Sequence, residues 1–167
     1  MHQLTRVLAL LALAACAPAK PLAPVAAYRT AGAPIWSNAQ FDQARLVGRW
    51  RQAAAFADAP VACTAGGAEI GGRAGALTLV ARLCLSGKDV RLSGPLAATG
   101  PGRFQAGGQE WWVIWVDTDY RTLAIGTPSG AFGFILNRDG ALPPDRLRAA
   151  KEIFDFNGYD TGRLTVF

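Results

Sequence analysis

The side chains that most often carry catalysis are scarce in this chain of 167 residues. Its single histidine is His2, and that residue belongs to an amino-terminal segment with the layout of a cleaved signal. A mature chain without histidine has no Ser-His-Asp triad, no Cys-His dyad and no imidazole metal site. We therefore predict no catalytic residue, no metal and no cofactor, and we predict that the protein is not an enzyme.

Carboxylates offer one alternative to that prediction. Glu110, Asp117 and Asp119 lie next to apolar segments, and two such groups can act as general acid and base. Their neighbours are typical of turns and strand ends, so we expect them at rims rather than in a catalytic pair. Basic residues exceed acidic ones by 17 to 12, but they are spread along the chain, which argues against a nucleic-acid partner.

The amino terminus has the pattern of an export signal. Residues 1–15 contain one cation, Arg6, and a short apolar run before small residues, and that run is too short for a stable membrane span. The ending Leu-Ala-Ala-Cys at 13–16 resembles the lipobox of bacterial lipoproteins. The resemblance implies cleavage before Cys16 and acylation of Cys16. With Ala17 next, it also implies an outer-membrane anchor that faces the periplasm. The alternative is an ordinary signal peptide with a chance cysteine.

The other two cysteines are placed to form a disulfide. Residues 71–75 read GGRAG, and a turn centred between Arg73 and Ala74 sets Cys63 opposite Cys84, since 63 and 84 have the same sum as 73 and 74. Facing residues of a hairpin are close enough for a bridge, and an exported protein allows one. Chain entropy gives this bridge about 3 kcal/mol of stabilisation. A reactive thiol is the alternative, but no mature histidine is present to activate it.

The cysteines and carboxylates discussed above must be positioned by secondary structure, and the sequence predicts mostly β-strands. Residues 16–40 are rich in proline and alanine and predict a tether, with Ile35 and Trp36 packed on the outside of the domain. Residues 41–167 form the predicted domain. Short apolar segments broken by glycine predict strands at 49–56, 64–71, 76–85, 89–98, 103–106, 110–117, 120–127, 131–138 and 161–166.

A helix is predicted after Pro143 and Pro144, because prolines favour the first helical turn. It carries an apolar face formed by Leu147, Ala150, Ile153 and Phe154. Seven or eight antiparallel strands with one late helix predict an all-β fold, an up-and-down eight-stranded barrel with the helix packed outside.

Three motifs resemble those of the lipocalin family. Residues 41–50, FDQARLVGRW, resemble its entry helix and Gly-x-Trp motif, here Gly48 and Trp50. The turn 117–120 is similar to the family's Thr-Asp-Tyr turn, here Thr118, Asp119 and Tyr120, and Arg138 lies where the family has an arginine near the end of its eighth strand. The likeness covers 41–167 and is nearest to bacterial outer-membrane lipoproteins and apolipoprotein D.

Basic physical chemistry makes these motifs structural. We expect Trp50 to close one end of the barrel with Arg138 over its ring, because a guanidinium gains a cation–π contact there. Arg138 binding a ligand carboxylate is the alternative. Thr118 and Asp119 are expected to hold the amides of a turn.

The resemblance implies a barrel interior that binds a small hydrophobic ligand. Alternation places one set of residues on the inner face of their strands, and comparison with lipocalins places Trp111, Val113 and Trp115 there too. The predicted lining consists of Leu77, Leu79, Leu83, Val90, Leu92, Leu96, Trp111, Val113, Trp115, Ala124, Gly126, Phe132, Phe134 and Leu136. Ile114, Val116, Leu123 and Ile125 are then expected outside, under the helix.

Two functions remain open on the sequence. The leading hypothesis is a lipid-anchored carrier of a fatty acid, lysophospholipid or similar molecule in the bacterial envelope. The alternative is an envelope interaction protein whose barrel is filled by its own side chains. Residues 97–109 are short and glycine-rich for a barrel wall, which leaves the size of a cavity undetermined. The sequence predicts no oligomeric state.

Overall fold

The computed structural model of the chain describes residues 27–167. The predicted signal, residues 1–15, and Cys16 lie outside the described residues. The strands are β1 Gly48–Phe56, β2 Gly67–Arg73, β3 Ala76–Leu85, β4 Lys88–Gly100, β5 Arg103–Ala106, β6 Gln109–Val116, β7 Thr122–Gly126, β8 Gly133–Asn137 and β9 Leu164–Val166, and the helix is α1 Pro144–Phe156. Single 3-10 turns cover Gln43–Leu46 and Thr161–Arg163.

Eight strands form a closed antiparallel barrel. Neighbours along the chain pair from β2 through to β8, β8 pairs with β1, and β1 also pairs with β2. β9 pairs with β1 outside the barrel, Ala54 lying opposite Val166. The predicted architecture is confirmed, and the short wall at 97–109 contains a complete four-residue β5.

Tight turns build the hairpins. Ser86 and Gly87, between β3 and β4, both have positive φ, of 52° and 74°, as a two-residue turn with the twist of a hairpin requires. Between β2 and β3, Arg73 pairs with Ala76, so the turn is centred one residue later than predicted. The predicted register of this hairpin is wrong, because Gly75 (φ 80°) takes the left-handed position.

The disulfide between Cys63 and Cys84 is nevertheless confirmed, with 5.6 Å between the two Cα atoms. Cys63 precedes β2 and lies in the loop that follows β1. Because this loop does not continue the ladder of β2, the hairpin register does not decide where Cys63 lies.

The helix packs on the outside of the barrel. Ala150 and Phe154 are fully buried, and Leu147 and Ile153 pack beside them as predicted. Phe154 meets the rings of Phe56 and Tyr159 at centroid distances of 4.9 and 5.1 Å. We call this group the outer cluster; it consists of Tyr28, Ala53, Ala54, Phe56, Ile114, Ala124, Ile135, Ala150, Phe154, Tyr159 and Leu164.

Residues 27–40, part of the predicted tether, lie along the outside of the barrel. The amide of Tyr28 donates to the Gly130 carbonyl at 2.7 Å, and the amide of Asn38 donates to the Val113 carbonyl at 2.8 Å. Ile35 packs against the outer cluster, whereas Trp36 stays 58% exposed. The described chain before Phe41 is therefore attached to the barrel at both ends of this stretch.

The two ends of the barrel differ. The end where β1 begins is covered by the 3-10 turn at Gln43–Leu46 and the β6–β7 turn, and we call it the closed end. The opposite end carries the β1–β2, β3–β4, β5–β6 and β7–β8 connections, and we call it the mouth.

Candidate ligand site in the barrel interior

The inside of the barrel is apolar and contains no charged side chain among the described residues. The buried polar residues of the described chain are Gln52, Thr122, Thr127, Asn137 and Asn157, none of which is ionisable. Predicted lining residues on the inside are Leu77, Leu79, Leu83, Leu96, Trp111, Val113, Phe132, Phe134 and Leu136, with Val90 and Leu92 partly buried against them. Such a surface suits a hydrophobic guest and offers no counter-charge to an ionic one.

Three predicted lining residues lie on the wrong face. Trp115 packs against the outer cluster and Ala124 belongs to it, while a Cβ built on Gly126 would lie 2.8 Å from the Oη of Tyr159, outside the barrel. The predicted inward positions of these residues are therefore corrected to outward ones.

A β-bulge explains part of this reversal. The pairing of β6 with β7 shifts between Val113 and Trp115, so the extra residue, Ile114, and Trp115 both face outward. Beyond the bulge the alternation is inverted, and Val116 packs inward.

The second reason lies in β7. All five of its residues are buried, so both of its faces are covered and polarity does not mark the inner one. Leu123 and Ile125, predicted outside, are in the interior.

The interior is filled by its own side chains. The buried predicted lining residues other than Phe132 expose at most 4% of their surface, whereas an open cavity would leave its lining accessible to water. The rings of Trp111 and Phe134 meet edge to face at 5.1 Å, and Phe132 lies 6.1 Å from Phe134. A cavity of about 500 Å³ does occur, but on the outside, between β1 and the loop at 140–142.

A hydrogen bond bridges two connections at the mouth. The hydroxyl of Ser86, in the β3–β4 turn, donates to the carbonyl of Ala131 before β8 at 2.6 Å. Ala131, Val90 and Leu92 are partly exposed and pack on the interior. Leu92 lies next to Gly107 in the β5–β6 turn, where a Cβ would be 2.7 Å from its Cδ2. Phe132, 7% exposed, is the interior aromatic next to this rim.

The closed end is sealed by the predicted pair of Trp50 and Arg138. The Cζ of Arg138 lies 3.9 Å from the centroid of the Trp50 ring, and the indole N–H of Trp50 donates to the Leu46 carbonyl at 2.8 Å. The Arg138 guanidinium donates to the carbonyls of Tyr120 at 2.9 Å and Arg45 at 2.6 Å. Burial lowers the pKa of Arg138, partly offset by Asp139, and the guanidinium stays charged.

The turn before β7 is held by Asp117, and not by Thr118 and Asp119 as expected. The carboxylate of Asp117 accepts from the amides of Arg121 at 2.7 Å and Thr122 at 2.6 Å, while Thr118 and Asp119 are exposed. Tyr120, at φ 57°, accepts at its hydroxyl from the amide of Asp42 at 2.8 Å. Asp117 is thus engaged as a turn cap, and Glu110 is exposed on a strand.

Sequence reasoning missed Gln52. Its side-chain amide donates to the Cys84 carbonyl and accepts from the Cys84 amide, both at 2.8 Å. It also accepts from the amide of Gly66 at 3.2 Å. The side chain fills the gap between β1 and β3 where β2 has not yet begun. The signal available in the sequence was a long amide within an otherwise apolar strand end.

Two further observations bear on chemistry and location. Within residues 27–167, no group of three or more His, Cys, Asp or Glu side chains is arranged to hold a metal ion. No helix in that range has the length and apolar character that crossing a membrane requires.

A closed eight-stranded antiparallel barrel with an apolar interior, a Trp-Arg closed end and one outer helix defines the lipocalin fold. Comparison agrees: residues 99–167 match the family model of a lipocalin-like domain. No curated protein matches the chain significantly.

Solved structures share the fold at low identity. Lobster apocrustacyanin A1 is 15% identical with a TM-score of 0.57, over 75% of this chain and 78% of that one. The siderocalin Ex-FABP, described as acting through dual ligand specificities, is 13% identical with a TM-score of 0.56, over 74% and 93%. The cockroach allergen Per a 4 is 11% identical with a TM-score of 0.53, over 74% and 85%.

Proposed function

We propose that the protein is a lipid-anchored, lipocalin-fold binding protein of the bacterial cell envelope that takes a small hydrophobic ligand through the mouth of its barrel. One observation carries the binding function: an uncharged apolar interior continues up to a partly exposed apolar rim at Val90, Leu92 and Ala131. Burial of an acyl chain there gains about 0.8 kcal/mol for each CH₂ removed from water.

Entry requires a side chain at the mouth to move, because the interior is occupied. Phe132 lies beside the rim and is more exposed than Trp111 and Phe134 deeper in the barrel. It follows the loop of residues 127–131, which is held to the β3–β4 turn through Ser86. Rotation of the Phe132 ring toward the rim would open the top of the interior.

Truncation of that ring tests the proposal. Phe132→Ala is expected to bind a fluorescent fatty acid about ten-fold more tightly than the original chain, because space for about two more CH₂ groups becomes available. Phe154→Ala, which removes an equally large ring from the outer cluster, is the matched control and should leave affinity unchanged. Titration of the fluorescent probe and native mass spectrometry measure both. Absence of bound probe in the original chain and in Phe132→Ala alike overturns ligand binding.

The anchor is supported by the sequence around Cys16, and the contacts of Ala27 and Tyr28 indicate which end of the barrel it would attach to. The carbonyl of Ala27 accepts from Arg163 at 2.9 Å, and Tyr28 is bonded to Gly130 in the β7–β8 connection. Residues 17–26 can span at most about 35 Å. This reach is little more than the length of the barrel and starts from the mouth, so an acylated Cys16 would keep the mouth nearer to the membrane than the closed end.

A second candidate is an interaction protein with a self-filled barrel. The packed interior favours it, and so do two exposed aromatic residues at one end of the helix: Trp36 is 58% and Phe156 70% exposed. The backbone amide of Trp36 donates to the side-chain oxygen of Asn157, the residue after Phe156, at 2.7 Å. This candidate expects a photo-crosslink from position 36 to one defined envelope protein, together with no probe binding.

A further inference from the structure

The indole N–H of Trp111 is a buried donor without a partner. Trp111 lies on β6, faces the interior and is 2% exposed. Its Nε1 is enclosed and makes no hydrogen bond within the described part of the chain. An unpaired buried donor costs about 1–3 kcal/mol, and folded proteins satisfy nearly all such groups.

Two other polar groups of the same interior are satisfied, whereas the Oε1 of Gln109, two residues before Trp111 on the same face of β6, is also buried without a partner. The indole N–H of Trp50 donates to Leu46, and the Tyr120 hydroxyl accepts from Asp42. A phenylalanine at position 111 would fill much of the same apolar space without an unpaired donor. In this structure the described chain places no bonded acceptor at the indole N–H, which leaves that donor open to a ligand.

The position of Trp111 connects this donor to the mouth. Gln109 pairs with Ala106 across the β5–β6 turn, and Trp111 lies two residues further along β6, about 7 Å below the turn at 3.3 Å per residue. Its ring contacts Phe134, which is next to Phe132. A ligand that displaces Phe132 would therefore lie against Phe134 and come close to the Trp111 ring.

We propose that the Trp111 Nε1–H group is the hydrogen-bond donor for the ligand, which is an apolar molecule with a neutral carbonyl acceptor, such as a ketone or an ester. This inference rests on the proposed function. A neutral acceptor is favoured over a carboxylate because no charged side chain of the described chain lies in the interior, and an unpaired buried carboxylate is strongly disfavoured. A free fatty acid would keep its carboxylate at the rim.

Two ligands of the same length provide the test: 2-dodecanone and dodecane, which differ by one carbonyl oxygen. Their affinities are measured by displacement of a fluorescent probe from the original chain and from Trp111→Phe. The ketone-to-alkane affinity ratio is expected to fall about ten-fold in Trp111→Phe, which is the effect of one hydrogen bond. The ratio is compared, rather than either affinity alone, because the smaller phenylalanine ring also frees space for both ligands.

Trp112→Phe is the matched control. Trp112 is the next residue, its indole N–H is also unpartnered, and it lies on the outside with the guanidinium of Arg103 4.1 Å from its ring. Trp112→Phe should leave the ketone-to-alkane affinity ratio unchanged. An unchanged ratio in Trp111→Phe overturns the inference and leaves the proposed function intact, whereas failure of the original chain and Phe132→Ala to bind any of these molecules overturns both.

A spectroscopic readout does not depend on the folding of a variant. In protein labelled with ¹⁵N-tryptophan, 2-dodecanone should move the indole signal of Trp111 downfield, and dodecane should not. If the ketone binds and that signal does not move downfield, the Trp111 N–H is not the donor; an N–H contact with the face of the Phe134 ring would then account for it.

Discussion

At the scale of single residues, the closed end depends on an absent side chain. Gly48 has φ 124°, and a Cβ at that position would lie 2.6 Å from an Nη of Arg138. Gly48, Trp50 and Arg138 therefore act together, because the glycine leaves room for the guanidinium that stacks on the Trp50 ring. Because that guanidinium already serves the carbonyls of Tyr120, Arg45 and Val47, the geometry favours a structural role over carboxylate binding.

Tyr159 gives a prediction about pH. Burial raises its pKa to about 12, with smaller opposing effects from the Thr127 backbone and Arg29. The folded state thus holds the phenolic proton more tightly than the unfolded state, whose tyrosine pKa is about 10. The resulting stability is present below about pH 10 and is lost as the pH rises towards 12, a fall of about 2–3 kcal/mol in the free energy of unfolding.

Urea unfolding between pH 9 and 12 measures this fall. Tyr159→Phe should be less stable at neutral pH, because the hydroxyl joins the amide of Thr127 at 2.8 Å to the carbonyl of Phe132 at 2.9 Å. It should, however, lack the Tyr159 part of the alkaline loss, while Tyr120→Phe should keep it. An equal alkaline loss in Tyr159→Phe and the original chain would contradict the assignment.

At the scale of elements, Gln52 substitutes for a missing piece of strand. Gln52→Leu would leave the buried amide and carbonyl of Cys84 unpaired, so we expect a loss of about 2–4 kcal/mol in the free energy of unfolding. Gln105→Leu is the control, since the described chain gives Gln105 no side-chain hydrogen bond. Urea unfolding with the disulfide intact measures both variants; a loss in Gln52→Leu no larger than in Gln105→Leu would contradict this role.

The positions of the strands and of the helix can be predicted from the sequence, but the inward faces of β6 and β7 cannot. Strand positions, the helix face and the inward side of β3 follow from alternation and turn residues, which the structure reproduces. The phase of β6 and β7 does not, because both faces of these strands are apolar and the bulge at Ile114 inverts one of them. A blocking substitution at Ala124, which sequence alone would place inside, would alter the outer cluster instead.

At the scale of the whole molecule, three features meet at the mouth. They are the disulfide between Cys63 and Cys84, the hydrogen bond of Ser86 to Ala131, and the hydrogen bond between Arg163 and Ala27. The pair of Trp50 and Arg138 seals the opposite, closed end. In the proposed function, ligand exchange and membrane attachment therefore share one end of the barrel.

This arrangement predicts which end faces the lipid. In acylated protein on vesicles, a fluorophore on Ser129→Cys in the β7–β8 connection should be quenched by nitroxide lipids more strongly than one on Thr118→Cys at the closed end, since both sites are exposed. The ends lie about 25–30 Å apart, the length of a nine-residue strand. With Cys63 and Cys84 bridged and Cys16 acylated, each new cysteine is the free thiol.

A ten-residue Gly/Ser insertion before Ala27 should reduce the difference in quenching, because it doubles the maximum extended length of the linker. Cys16→Ser should release the protein from membranes, and the mass of the amino-terminal peptide reports acylation directly. Equal quenching at the two sites, or an unmodified Cys16 in protein isolated from membranes, would rule out an anchor that holds the mouth at the bilayer.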